Sequence, residues 1–129
     1  FGYYWAPTPI LGRYDMVKVD FQSGIDEKHY KSCITKPECP NPRVSMFPSS
    51  PVVTVTTEKF AQKASEAYLY LARRSFKNDQ MNKILKWIDE NQADGETAAI
   101  YFLNNNQNIW LHWIPADIAA KIKQVLENL

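Results

Sequence analysis

Glycine, histidine and cysteine are scarce in this chain: four, two and two among 129 residues. His29 is the only soft donor near Cys33 and Cys39, so a four-ligand zinc site cannot be assembled there. No serine or cysteine stands in a nucleophile-elbow pattern. His112, within Trp110-Leu-His-Trp113, reads as a partly buried packing residue. Asp79, Asp89, Glu90, Asp94 and Glu96 fall at expected helix starts or on polar faces, as caps and solvated charge. The expectation is a protein that is not an enzyme and needs no cofactor or metal. A surplus of charge is missing too: 15 basic against 14 acidic side chains leave +1. Such a chain has no field to hold a nucleic acid or an anionic membrane. Its apolar runs fall far short of the ~20 residues a membrane span requires. It opens on Phe1-Gly2-Tyr3-Tyr4-Trp5 with neither Met nor signal peptide, which reads as a mature or excised fragment and leaves the compartment open.

What is present is an ordinary globular composition, 45% hydrophobic and 22% charged, with an excess of rings: four Trp, seven Tyr and six Phe. Most are expected in a core. Residues 1–50 hold six of the eight prolines and read as short extended pieces with long connections. Met16–Phe21 alternates as a strand with one buried face, and Pro51–Thr57 is a clearer strand, rich in β-branched residues. Between them, 22–50 is an aperiodic, proline-rich loop.

Helices are expected from Thr57 onward. Thr57 caps the first, with Phe60, Ala64, Ala67, Tyr68, Leu71 and Ala72 on one face. Asn78 caps a second, whose stripe is Met81, Ile84, Leu85 and Ile88, with Trp87 on its shoulder. Asp94 caps a third, striped by Ala98, Ala99, Phe102 and Leu103. Pro115 opens the last, with Ile118, Ile122, Val125 and Leu129 on its buried side. Four such helices need a common surface, which a small sheet or a neighbouring lobe would supply.

Two features bear on chemistry. Cys33 and Cys39 have five residues between them, too many for a thioredoxin-type motif, which leaves a local disulfide or two free thiols. The sequence favours the disulfide, which would pin a loop with no other means of ordering itself and would imply an oxidising compartment. The other feature is Tyr3-Tyr4-Trp5, read as the end of a strand entering the rigid Ala6-Pro7-Thr8-Pro9. Ring faces carry a negative quadrupole, and a quaternary ammonium has no hydrogen to donate, so aromatic faces are its natural receptor. Taken alone, three aromatics at a strand end are more often core than cage.

The combination is more specific. Gly2-Tyr-Tyr-Trp-Ala-Pro-Thr8, Tyr14–Val19, Pro51–Thr57, Ser75–Asn82, Trp87–Gly95, Ala99–Leu103 and Trp110–Pro115 follow one another in an order that resembles the C-terminal part of OpuAC-like substrate-binding proteins of glycine betaine/proline betaine ABC importers. The resemblance implies an α/β, type II periplasmic-binding-protein-like fold, here a helix-rich fragment with a small β-sheet. It implies residues 1–15 in one lobe and 16–129 in the other, with a disulfide loop at 22–50 and helices from 57. It also implies an aromatic box for a quaternary amine (glycine betaine, proline betaine, choline or carnitine), a membrane permease as partner, and a periplasmic or extracytoplasmic location. Trp5 matches the family's box tryptophan. Tyr3 shares its side of an extended segment and Tyr4 points the other way; both are lesser candidates. The other walls lie upstream in the family. The alternative is a stand-alone helical interaction module that self-associates through uncovered apolar faces.

Overall fold

The computed structural model describes residues 1–129, as two compact units: Phe1–Asp15 with Thr54–Leu129, and Met16–Val53. Its regular structure is helical, and the expected small sheet is absent. Met16–Phe21 and Pro51–Thr57 form no strand, and Val17, Val52 and Val55 stand exposed. The α/β expectation is therefore corrected. Alternation and β-branching show fitness for a pleated surface, but a strand also needs a neighbour for its backbone N–H and C=O groups. Neither segment has one in this chain.

In the first unit, α1 (Pro9–Arg13) leads, and α3 (Glu58–Lys63), α4 (Ser65–Arg73), α5 (Asn78–Asn91), α6 (Gly95–Asn105), α7 (Gln107–Trp110) and α8 (Ala116–Leu126) follow. The second unit holds α2 (Glu27–His29), continued by a π-helical turn, Tyr30–Ile34. This helical stretch lies inside the loop read as aperiodic. Asp26 starts it by accepting the His29 N–H at 2.9 Å.

Two of the expected caps are in place. Thr57 accepts the Phe60 N–H at 3.1 Å, and Asp94 accepts the Thr97 N–H at 2.8 Å. The cap of α5 is Lys77 rather than Asn78, because the Gln80 side chain folds back to accept the Lys77 N–H at 2.8 Å. Pro115 is the cap of α8 and not its first helical residue, its ψ being extended at 153°. The first expected helix is two, broken at Ala64, where no glycine or proline marks the break. Ala67, Tyr68 and Ala72 are consequently exposed, as are Val125 and Leu129 on α8.

The core gathers Ile84, Phe102, Trp110, Trp113 and Ala119, with Met81, Ile88 and Ile122 packed around it. Trp113 is its hub: it stacks on Phe102 at 5.7 Å and meets Phe76 and Tyr70 edge-on at 5.0 and 6.4 Å. Trp110 is 2% exposed, and its Nε1–H donates to the Leu103 carbonyl at 2.8 Å, so its polar atom is satisfied. His112, between them in sequence, is exposed rather than packed. Trp87 lies outside the core, half-buried and stacked on Tyr101 at 3.7 Å.

One contact fixes the start of the chain. Helix α1 lies so close on α5 that a Cβ on Gly12 would come within 2.2 Å of the Asn82 carbonyl oxygen and 2.9 Å of Lys86 Cβ. Buried Asn82 also accepts the Thr8 N–H at 2.8 Å, and Arg13 pairs with Asp89. Asn82, Lys86 and Asp89 thus form a second face of α5, spaced as one helical stripe. Gly12→Ala should force α1 off α5, because the obstructing atom is backbone and cannot swing away; overpacking of this kind costs about 1–3 kcal/mol. Protection of the Thr8 amide from exchange should fall with the melting temperature. Unchanged protection would mean that α1 does not dock here.

Asp94 sets an acid limit. The Thr97 N–H, and then the Thr97 side chain, hold its carboxyl below the ordinary 3.8. A carboxylate with a depressed folded pKa stabilises the fold above its unfolded pKa, and that contribution is lost as pH falls through the lower folded value. Exchange at the Thr97 amide should therefore accelerate relative to Phe102 on acidification below 3.8. In Asp94→Asn, which keeps a capping oxygen without the charge, this pH dependence should disappear. Persistence of the same acid step in the Asn variant would assign it to another group.

Candidate functional site

Three residues upstream of the Thr8–Asn82 hydrogen bond stands Trp5, so the α1–α5 contact anchors the aromatic segment. The structure pairs Tyr3 with Trp5: ring centroids 6.3 Å apart, planes at 82°. Tyr4 goes elsewhere, its ring lying over the backbone of Gly2, where an added Cβ would stand 2.7 Å from the ring. Trp5 and Tyr3 keep 72% and 64% of their surface exposed, against 46% for Tyr4.

Two ring planes near a right angle give two non-parallel walls open to solvent. A cation within about 6 Å of a ring centroid is attracted to its face. Ring faces of this kind can attract a compact cation that has no hydrogen to donate. No three His, Cys, Asp or Glu side chains lie where they could hold a metal ion.

Cys33 and Cys39, the remaining site pair named from sequence, are joined in a disulfide with Cα atoms 4.8 Å apart. It closes the end of the π-helical turn onto the bend at Lys36–Cys39, where the Lys36 carbonyl accepts the Cys39 N–H at 3.2 Å. The same unit carries an open groove of about 540 Å³ lined by Lys18, Asp20, Gln22, Gly24, Ile25 and Met46. A smaller cavity of about 190 Å³ lies around His29.

Sequence reasoning missed the residues that hold the aromatic segment in place: Thr8, Gly12, Arg13, Asn82 and Asp89. A signal existed. Asn82, Lys86 and Asp89 are polar at helical spacing beside an apolar stripe, which suits a second contact face as well as a solvated one.

Comparison with protein families gives the class. The sequence model for the substrate-binding domain of ABC-type glycine betaine transport systems matches residues 1–105. The chain belongs to this family. Curated proteins and solved structures give no match. The matched region takes in the Tyr3–Trp5 corner, the disulfide, and α1 to α6. Helices α7 and α8, with Trp110, Trp113 and Ala119 of the core, follow it.

Proposed function

We propose that this chain is part of an extracytoplasmic receptor that captures glycine betaine, or a related quaternary amine, for an ABC importer. Trp5 is the principal wall of the cation site and Tyr3 the second, with Tyr4 shaping the segment between them. The observation that carries this reading is the exposed, near-perpendicular Tyr3–Trp5 pair in a chain of this family. The protein acts by binding, without catalysis or cofactor. A disulfide fits an oxidising compartment, and no helix is long and apolar enough to cross a membrane. In the whole receptor, residues 1–15 stay with the helical unit they pack on, this chain and the rest of the protein enclose the solute, and the loaded form is handed to a membrane permease.

Magnitudes limit what the corner can do by itself. Each ring face contributes about 0.5–2 kcal/mol to a cation, whereas micromolar binding needs roughly 8 kcal/mol. The other walls and the partners of the carboxylate therefore come from elsewhere in the receptor, and residues 1–129 by themselves should bind no tighter than millimolar.

The test is calorimetry on the whole receptor with glycine betaine, proline betaine, choline and carnitine, beside 3,3-dimethylbutyrate. That last compound keeps the shape and carboxylate of glycine betaine but replaces the cationic nitrogen with carbon. Saturable binding of a quaternary amine, with the carbon analogue at least tenfold weaker, is the expected result. Equal binding of both would replace the cation site with a plain apolar pocket. No binding, together with concentration-dependent association of the chain, would favour the self-associating module.

A further inference from the structure

The second unit begins with a row of backbone groups that nothing in the chain answers. The N–H and C=O groups of Met16 to Asp20 make no hydrogen bond within the chain. Pairing resumes at Phe21, whose N–H donates to Met46 Sδ at 3.5 Å, and at Gly24, whose carbonyl accepts the Met46 N–H at 3.1 Å. The side chains are open too, Val17 by 89% and Val19 by 66%. No glycine or proline interrupts Tyr14–Ser23, and the first positive φ falls at Gln22, past the run. A short run with β-branched residues at alternate positions and free backbone groups is a template for another strand.

The sequence of the run says which strand. Set antiparallel against a second copy of itself, Val19 falls opposite its own counterpart on a twofold axis. Lys18 then falls opposite Asp20, and Val17 opposite Phe21, each pair made twice. Directly opposed side chains lie about 4.5–5.5 Å apart at Cβ, within reach of both ion pairs. The neighbouring registers are worse. Sliding by two residues sets Lys18 against Lys18 or Asp20 against Asp20, and sliding by one sets charge against apolar side chains. Lys18 and Asp20 also border one open groove, so they already share a side of the run. We propose that residues 17–21 form an isologous antiparallel contact with a second copy of this chain, its register fixed by two Lys18–Asp20 ion pairs. The contact is separate from betaine capture, and its test contains no solute.

Sedimentation velocity of the full chain over a concentration series at low salt should show a monomer–dimer equilibrium. Asp20→Lys and Lys18→Asp each set like charges opposite one another, and each by itself should weaken the dimer about tenfold. Mixed in equal amounts, the two variants again oppose lysine to aspartate at both positions, and the mixture should associate as the unmodified chain does. A general loss of folding cannot imitate that recovery. Asp20 also accepts the Gln22 N–H at 2.8 Å. Should Asp20→Lys disturb that turn, Val19→Pro, which removes a backbone donor on the axis, should give the same loss. A chain that stays monomeric throughout would overturn the contact. So would association untouched by either charge reversal, which would place another surface between the copies, or folded variants that fail to recover when mixed.

Discussion

Trp110→Ala should destabilise the helical unit by ~3–5 kcal/mol, the range for truncating a fully buried Trp. Whole domains hold only about 5–15 kcal/mol, so the variant should sit near the edge of folding at room temperature. Two losses combine. The indole fills the space between Ile84, Phe102, Trp113 and Ala119, and removing it leaves a cavity that four helices would have to collapse together to fill. Its Nε1–H also occupies the Leu103 carbonyl. Trp87→Ala is the contrasting case: half-buried and stacked on Tyr101, it gives up a ring pair worth about 0.5–1.5 kcal/mol and part of its burial. Urea unfolding should show a much lower midpoint for Trp110→Ala than for Trp87→Ala. Equal midpoints would mean that Trp110 is not the keystone of this core.

The residues that could be read from sequence are those whose signal is local. Thr57 and Asp94 cap because a hydroxyl or carboxylate three residues before a free N–H needs nothing further away. The α5 stripe held at Ile84 because its periodicity runs over a full helix. Cys33 and Cys39 found each other because only five residues of chain between them leave little freedom. What failed depended on partners distant in sequence. The strands at Met16–Phe21 and Pro51–Thr57 lack a neighbour in this chain, and α1 is held by a helix some seventy residues away. The Asp26-capped turn that carries His29 was overlooked because an eight-residue helical stretch among prolines shows too little periodicity. The i, i+2 spacing of Tyr3 and Trp5 suited a shared side, but the contact of the two rings and their mutual angle belong to the fold.

Trp5→Ala should abolish most betaine binding by the whole receptor while leaving its melting temperature nearly unchanged. With 72% of its surface exposed, Trp5 contributes little packing, and its loss leaves the α1–α5 contact intact. Its binding contribution has two sources, the cation–π attraction and the ring surface the ligand covers, together about ten- to hundredfold in affinity, or about 1–3 kcal/mol. Trp5→Phe retains a smaller face and should fall between wild type and Trp5→Ala. Tyr4→Ala, with its ring over Gly2, should cost less than either.

The most direct measurement is a titration of glycine betaine into the whole receptor as wild type, Trp5→Phe and Trp5→Ala, with unliganded melting curves recorded for all three. The account predicts affinity falling in that order, at least tenfold from first to last, with melting curves that superimpose. Wild-type affinity in Trp5→Ala would remove Trp5 from the site and contradict the account at its centre.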